Sequence, residues 1–241
     1  LYRTLHKILD VTLHLIKIYL YKLFYEVVSI LNKSILSYPY RGPYGDANYR
    51  GNCSGLLIKD ILMYYRPKNF LECFAGSGTG FEVARELGYR NSIHLDLNKR
   101  FGNFNLLTDE LPKGADLVFS HPPYWDIIKY SGKKNVWGEK PHKDDLSHIQ
   151  DYEEFINKLN IINKKIYESI KLGGRHAILI GDIRKRGKYY SIIKDMKWYG
   201  ELEAHLIKVQ HNTKSMSKKY ANNNFIPIAH EHLLVFKKLK A

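Results

Sequence analysis

The sequence predicts an α/β fold, because short apolar runs with the length of buried strands alternate with longer segments of helical periodicity. The runs "KNFLECF" and "ADLVF" are of the first kind. The segment "YEEFINKLNIINKKIYESI" is of the second kind, with apolar residues from Phe155 to Ile166 along one side. Strands that alternate with helices form a parallel sheet covered on both faces. We therefore expect such a sheet over most of the chain.

The other elements follow from the same two periodicities. The predicted helices are "GLLIKDILMYY", ended by Pro67, "FEVARELGY", ended near Gly88, and "SIIKDMKWYG". The predicted strands are "NSIHLDLN", a short one in "FNLLTD", and "RHAILIGD". The last two apolar runs, "ELEAHLIKV" and "HEHLLVFKK", are joined by a polar connection rather than a helix, which predicts an antiparallel pair at the sheet edge.

Residues 1–37 are strongly apolar and lack Pro and Gly, so they predict one or two helices packed on the body or on a second subunit. Lys17, Lys22 and Glu26 interrupt this run, which leaves no uncharged stretch of about 20 residues for a membrane span. It has no small-residue cleavage site of a signal peptide. The chain begins at Leu, so we expect its native start to be missing. The predicted organisation is this helical extension followed by one domain over 38–241.

The composition is basic, with 38 Lys and Arg against 24 Asp and Glu and a net charge of +14. Such an excess favours a polyanionic partner, usually nucleic acid and less often a membrane surface, although it also serves solubility. Two cysteines, Cys53 and Cys73, are too few for a disulfide framework and indicate a reducing compartment such as the cytoplasm. The nearest approach to a metal-ligand spacing is "HEH" at 230–232, which leaves a metal there open.

The segment "LECFAGSGTG" places three glycines, Gly76, Gly78 and Gly80, between a predicted strand and a predicted helix. At such a turn the backbone approaches a cofactor closely, which glycine permits because it lacks Cβ. Asp96 ends the next strand, where a carboxylate can accept both ribose hydroxyls of a nucleoside. The pattern fits NAD, FAD or S-adenosylmethionine. The GxGxG spacing and the carboxylate of Glu72, which would repel a diphosphate, favour a ligand with an amino acid or sulfonium group.

The hexapeptide "SHPPYW" at 120–125 stops the "ADLVF" strand abruptly, because proline donates no N–H and fixes its own φ. Since this strand belongs to the same sheet, His121, the Pro122 carbonyl and the Tyr124 ring should lie beside the cofactor. These groups suit chemistry at the exocyclic amino group of a nucleobase. Two acceptors hold its hydrogens, the flat ring stacks on the base, and orientation supplies most of the effect.

These segments, together with "HLDLN", "LGGRHAILIGDIR" and "HEHLLVFKK" in that order, resemble the S-adenosylmethionine-dependent amino-methyltransferases of DNA, which make N6-methyladenine or N4-methylcytosine. The resemblance covers about residues 40–240. It implies a Rossmann-like, seven-stranded class I methyltransferase sheet, S-adenosylmethionine as cofactor, DNA as substrate and a target base flipped into the pocket. It implies no metal. Methylation at cytosine C5 is disfavoured, because neither cysteine lies on the proline loop.

The resemblance also implies roles for individual residues. The catalytic tetrapeptide would be His121, Pro122, Pro123 and Tyr124, and the residues near the base pocket would be Trp125 and Tyr130. The cofactor would be contacted by Asn52, Ser54, Gly55, Glu72, Phe74, Gly76, Gly78, Asp96 and Asp109, with Asp96 at the ribose and Asp109 near the adenine.

The sequence departs from the family at the first tetrapeptide position, where relatives usually carry Asp, Asn or Ser and this chain carries His121. A neutral imidazole can accept one hydrogen bond, so the chemistry is retained, but the usual indication of cytosine or adenine is lost. Candidate target-recognition loops are 131–150 and 208–229. Two alternatives stay open: an RNA base methyltransferase, and a non-catalytic nucleic-acid or protein-binding module on the same fold. The apolar extension at 1–37 is also a candidate dimer contact.

Overall fold

The computed structural model describes residues 31–211 and 226–239. Residues 1–30 of the helical extension and dimer contact predicted at 1–37 lie outside the described residues, as does most of the loop predicted at 208–229. The strands are β1 (Ile35–Ser37), β2 (Phe70–Cys73), β3 (Ile93–Leu95), β4 (Ala115–Ser120), β5 (Ile170–Ile180), β6 (Ile183–Lys185), β7 (Lys188–Tyr190), β8 (Glu201–Val209) and β9 (His230–Lys237). The helices are α1 (Gly55–Tyr65), α2 (Thr79–Glu86), α3 (Tyr152–Ser169) and α4 (Ile192–Asp195).

Seven strands form one sheet in the order β1-β8-β9-β5-β4-β2-β3, and the remaining two, β6 and β7, form a hairpin. Strands β3, β2, β4 and β5 are parallel neighbours, whereas β9 runs antiparallel to both β5 and β8. The predicted α/β class with a seven-stranded, mostly parallel Rossmann-like sheet is therefore confirmed. The antiparallel pairing of the last two apolar runs is also confirmed, but β1 pairs with β8, so β8 is not an edge strand.

The strand predicted in "FNLLTD" is wrong, because its backbone is held in turns by the Asn105 and Asp109 side chains. Asn105 Oδ1 accepts from the N–H of Leu107, and Asp109 Oδ2 accepts from the N–H of Asn105. Such local bonds compete with strand pairing. The seventh strand is instead β1 at the opposite edge, and its residues lie in a segment for which the sequence predicts helix.

Two other elements differ from the sequence prediction. The helix predicted in "SIIKDMKWYG" is only the four residues of α4, and the backbone N–H of Lys197 beyond it bonds to the Asn160 side chain instead of a helical carbonyl. The β6–β7 hairpin was not predicted. Its turn places Arg186 at φ 50° and Gly187 at φ 79°, and these positive angles match the twist of the paired strands.

Each face of the sheet is covered by one apolar cluster, because alternate strand residues point to opposite faces. On one face, Phe155, Leu159 and Ile166 of α3 pack against the sheet. On the other, Leu57 and Ile61 of α1 do so. Within the two described ranges, no helix combines the length and apolar character that crossing a membrane requires.

Candidate functional site

A cleft opens where strands β2, β3 and β4 end, and its volume is about 810 Å³ including the part open to solvent. Parallel neighbours present their carboxyl ends at one edge of the sheet, so Phe74, Asp96 and His121, each beyond a strand end, share its wall. This edge of the sheet is where open α/β folds bind their ligands. The predicted site residues that line the cleft are Asn52, Glu72, Phe74, Gly76, Asp96, His121, Pro123 and Tyr130.

The glycine turn between β2 and α2 has the backbone that its sequence predicts. Gly76 and Gly78 adopt φ of 53° and 85°, in the left-handed region that glycine enters without steric cost. Phe74 also has a positive φ, 62°, although it carries a side chain. A non-glycine residue in this region stores strain that the surrounding structure must hold, and such strain is concentrated at functional sites.

Asp96 is tied to the glycine turn by its carboxylate. Its Oδ2 accepts from the backbone N–H of Gly76 at 2.8 Å, and its Oδ1 accepts from that of Asn98 at 2.9 Å. Burial raises the pKa of this carboxyl to about 6, although the two N–H donors oppose the shift. Each oxygen keeps a further lone pair, so the carboxylate can still accept bonds from a ligand in the cleft.

Glu72 lies deeper and is paired within the protein. Its Oε2 lies 2.6 Å from Nδ1 of His94, and a Cβ atom at Gly80 would overlap its carboxylate. Burial raises the pKa of Glu72, while the bond to His94 opposes the shift. Because His94 occupies this carboxylate, Glu72 does not face a ligand as the isolated carboxylate on which the sequence argument relied.

A loop that precedes α1 covers the glycine turn. The Asn52 side chain accepts a hydrogen bond from the Thr79 hydroxyl at 2.5 Å, and the backbone N–H of Gly45 donates to Glu82. Tyr49, in the same loop, approaches Gly76 and lines the cleft beside Tyr130, with ring centroids 6.0 Å apart. Sequence reasoning missed Tyr49 and Thr79. The only signal was the density of Tyr and Gly in "GPYGDANYRGN".

The proline turn brings His121 and Pro123 to the cleft wall. Burial lowers the pKa of His121 to about 4, so its imidazole is neutral at physiological pH. The hydroxyl of Tyr124 lies 2.9 Å from His121 Nε2 and donates to Glu231 Oε1 at 2.7 Å. The Tyr124 ring packs against Gly181, where a Cβ atom would meet it.

Several predicted residues lie outside the cleft wall. Ser54 and Gly55 begin α1, where the backbone N–H of Gly55 donates to the Arg41 carbonyl and a Cβ atom would overlap the Tyr44 ring. Gly78 begins α2 beside Phe101. Asp109 bonds to Asn105, which itself lines the cleft.

Trp125 is a core residue in the structure. It is 4% exposed, belongs to the apolar cluster formed with α3, and donates its indole N–H to the Ile149 carbonyl at 2.9 Å. Pro122 is also buried, and neither Pro122 nor the predicted stacking residue Tyr124 lines the cleft. The sequence indicates an aromatic after the tetrapeptide, but only the tertiary structure shows which way it points.

The candidate recognition loop at 131–150 forms part of the cleft wall. Trp137, Asp144 and Asp145 line the cleft. Asp145 Oδ2 accepts from both the N–H and the hydroxyl of Ser131, which holds the two ends of the loop together. Sequence reasoning missed these three residues.

The "HEH" segment carries no metal cluster. No group of three or more His, Cys, Asp and Glu suited to a metal occurs among residues 31–211 and 226–239. His232 Nδ1 lies 3.0 Å from His205 Nε2, and the His230 and His232 rings contact each other. Glu231, between them, points to the other face of the sheet and reaches Tyr124.

No protein-family model and no curated protein sequence matches the chain. Among solved structures, a proposed DNA modification methylase from Thermus thermophilus aligns over 56% of this chain and 49% of its own, at 22% identity and a TM-score of 0.37. It has also been solved with S-adenosyl-L-methionine. TrmN from Thermus thermophilus aligns over 80% of this chain and 51% of its own, at 14% identity and a TM-score of 0.48.

The N-methyltransferase NodS from Bradyrhizobium japonicum WM9, solved with S-adenosyl-l-homocysteine, aligns over 77% of this chain and 84% of its own, at 10% identity and a TM-score of 0.47. The chain spans about half the length of the DNA modification methylase and of TrmN. Similarity at these scores does not extend to activity, so the residues of the cleft carry the functional argument.

Proposed function

We propose that the protein transfers the methyl group of S-adenosylmethionine to the exocyclic amino group of a flipped base, adenine N6 or cytosine N4, in DNA. One observation carries the proposal: the proline turn and the glycine turn, 45 residues apart from Gly76 to His121, line the same cleft. A cofactor held by one turn therefore lies beside a base held by the other.

The cofactor half of the cleft suits a nucleoside. The free lone pairs of Asp96 accept the ribose hydroxyls, and the left-handed backbone at Gly76 leaves room for close approach. In this proposal Asn52 and Phe74, which both line the cleft, contact the methionine part of the cofactor. We assign recognition of the adenine to Asn105, which lines the cleft and whose backbone N–H donates to Asp109, so Asp109 acts through Asn105 in this proposal.

The other half suits an amino group. The nitrogen lone pair of the base amine is delocalised into the ring, and acceptors on its hydrogens draw it toward tetrahedral geometry. We assign the acceptor roles to neutral His121 and the Pro122 carbonyl, and the stacking role to the Tyr124 ring, which packs on one side against Gly181. Of the three residues only His121 lines the cleft, so Pro122 and Tyr124 must become accessible when the base enters. The N–CH₃ bond forms as the S–CH₃ bond breaks. The sulfonium becomes a thioether, and one amino proton leaves to His121 or water.

The charge of the chain agrees with a nucleic-acid substrate. A net charge of +14 favours binding to the phosphate backbone, whose contacts dominate affinity for DNA. Trp137 lines the cleft and would lie next to the flipped base. Enzymes that flip a base hold it between aromatic or apolar side chains.

The test is methyl transfer from isotopically labelled S-adenosylmethionine to unmethylated genomic DNA and, separately, to total RNA, followed by mass spectrometry of nucleosides. We expect methylated adenosine or cytidine amino groups in the DNA. The Tyr124→Ala variant should lower the rate by about 100-fold or more while cofactor affinity by calorimetry changes less than about threefold. Tyr64→Ala, which truncates a tyrosine 53% exposed on α1, is the matched control.

Each contrary outcome identifies a different function. Methyl transfer to RNA alone supports the RNA base methyltransferase. Absence of cofactor binding in calorimetry supports a non-catalytic binding module. Cofactor binding without methylation of any base in either polymer refutes nucleobase methylation.

A further inference from the structure

Four side chains beside the cleft are hydrogen-bonded in series, and they come from the ends of three strands. The Lys208 ammonium donates to Glu231 Oε2, the Tyr124 hydroxyl donates to Glu231 Oε1 at 2.7 Å, and His121 Nε2 lies 2.9 Å from the Tyr124 oxygen. Lys208 of β8 and Glu231 of β9 are register partners, so the sheet itself places them side by side. The "HEHLLVF" segment thus contributes its glutamate to the site, not its histidines.

The hydrogens of these four side chains can be arranged in only one way. A lysine ammonium has donors only, and an ionised carboxylate has acceptors only. Glu231 is ionised because the Lys208 ammonium lowers its pKa, although burial opposes this. The single hydroxyl hydrogen of Tyr124 is donated to Glu231, so its oxygen accepts the hydrogen of His121 Nε2.

The second ring nitrogen of His121 is left as an acceptor. Nδ1 has no hydrogen-bond partner within the described ranges, and it is not among their buried unpaired atoms, so part of its surface is accessible. We assign that surface to the cleft, which His121 lines. In the neutral imidazole, a hydrogen on Nε2 leaves a lone pair on Nδ1. His121 therefore presents a hydrogen-bond acceptor to the cleft, as a carboxylate or an amide oxygen would.

We propose that Lys208 and Glu231 are positioning residues, which act through Tyr124 to hold His121 as its Nε2–H tautomer and so make Nδ1 the acceptor for the substrate amino group. The role of Nδ1 toward the substrate rests on the proposed function. The tautomer does not, because it follows from the protein's own hydrogen bonds.

These hydrogen bonds predict that replacing one carboxylate oxygen of Glu231 by an NH₂ group reverses the direction of the bond between Tyr124 and His121. In Glu231→Gln, Lys208 still requires an acceptor, so the amide oxygen turns to Lys208 and the NH₂ group turns to the Tyr124 oxygen. The Tyr124 hydrogen must then be donated to His121 Nε2, and the imidazole hydrogen moves to Nδ1. An acceptor toward the cleft becomes a donor, with almost no change of shape.

The test is nitrogen NMR of the protein labelled with ¹⁵N in its histidine rings, with the His121 signals assigned by their loss in His121→Asn. The wild type should show a protonated Nε2 and an unprotonated Nδ1 at neutral pH. Glu231→Gln should exchange the two. The double variant Lys208→Met/Glu231→Gln should restore the wild-type pattern in part, because its amide oxygen is free to face Tyr124 again.

The matched control is Glu203→Gln, a carboxylate on β8 that pairs with Arg175 outside the cleft and should leave the His121 signals unchanged. A protonated Nδ1 in the wild type, or an unchanged tautomer in Glu231→Gln, overturns the inference. If Glu231→Gln does not fold, the wild-type spectrum still decides the tautomer, because a protonated Nδ1 there overturns the inference.

Methyl transfer separates this inference from the proposed function. If both hold, Glu231→Gln should lower the rate by about 100-fold with cofactor affinity unchanged, and the double variant should recover part of the loss. If the tautomer exchanges as expected but no variant or wild-type protein methylates DNA or RNA, the positioning of His121 stands and the proposed function fails.

Discussion

The backbone of Gly80 closes over the buried carboxylate of Glu72, and a Cβ atom at Gly80 would overlap that carboxylate. Gly80 is the third glycine of the turn, and its φ is not in the left-handed region. Its constraint is therefore the space that Glu72 occupies, and not backbone conformation. The position of the Glu72 carboxylate, and with it the pair that Glu72 forms with His94, therefore depends on the absence of a side chain at Gly80.

The first prediction concerns that contact. Gly80→Ala should lower affinity for S-adenosylmethionine by about tenfold or more, because the added methyl group displaces Glu72 from the cleft wall. Gly173→Ala is the matched control, since its φ of 77° imposes strain of about 1–2 kcal/mol with nothing within 4 Å. Calorimetry should show unchanged affinity in the control. Equal losses in both variants would contradict the role of Glu72.

The second prediction concerns pH: as the pH rises, stability should fall and affinity for the cofactor should rise. The pKa of Asp96 is about 6 in the folded protein against an ordinary 3.8, so between these values the folded state holds a proton that the unfolded state has lost. The contribution of Asp96 to stability should therefore fall as pH rises from about 4 to about 6. Affinity for S-adenosylmethionine should rise over the upper part of this window, because ribose hydroxyls donate to the carboxylate form.

Denaturant unfolding and calorimetry across that window check both signs. Asp96→Asn should make both curves less steep and should bind the cofactor weakly at every pH. Asp109→Asn removes a carboxyl whose pKa is lowered by the N–H of Asn105, so it should leave the slope near pH 6 intact. Glu72, whose pKa is also raised, contributes a slope of the same sign that persists in Asp96→Asn. Affinity that falls as pH rises would refute the ribose assignment.

The third prediction concerns the loop that covers the glycine turn. Thr79→Val removes the hydroxyl that donates to Asn52 and should cost about 1–3 kcal/mol, because the Asn52 oxygen loses its partner. Amide hydrogen exchange in residues 41–55 should become faster, and cofactor affinity should fall. Thr108→Val, which removes a surface hydroxyl bonded to Asp109, is the control and should do neither. Unchanged exchange in Thr79→Val would show that other contacts hold the loop.

The fourth prediction separates a core residue from a pocket residue. Trp125→Ala should cost about 3–5 kcal/mol of unfolding free energy, because the side chain is 4% exposed and packs with Tyr152 and Tyr190. Trp198→Ala, at a tryptophan 48% exposed, should cost much less. A Trp125→Ala protein that unfolds like the wild type but binds DNA weakly would place Trp125 in the base pocket instead.

The glycine turn and the proline turn illustrate what could be predicted from sequence. Local residue chemistry sets both: glycine is needed where φ is positive at Gly76 and Gly78, and prolines end β4 whatever surrounds them. The position of His121 and Asp96 at one cleft then follows from the parallel sheet, since strand ends meet at one edge.

Contacts between distant segments could not be predicted in this way. Tyr49 reaches Gly76 from a loop with no periodicity, and Glu231 reaches Tyr124 from 107 residues away. Strand alternation indicates that Glu231 and its neighbours face opposite sides, but not which residue each side meets. The absence of a strand at 103–110 likewise depends on side-chain bonds of Asn105 that compete with pairing.

By itself the sequence determined the α/β class, the two turns and the identity of the groups at their ends, because glycine, proline and apolar periodicity act within a few residues of themselves. Tertiary structure alone decided that Trp125 lies in the core, that Glu72 is paired with His94, and that Glu231 and Lys208 orient His121 through Tyr124. Each of these depends on burial and on a partner from another strand, and both exist only once the sheet has formed.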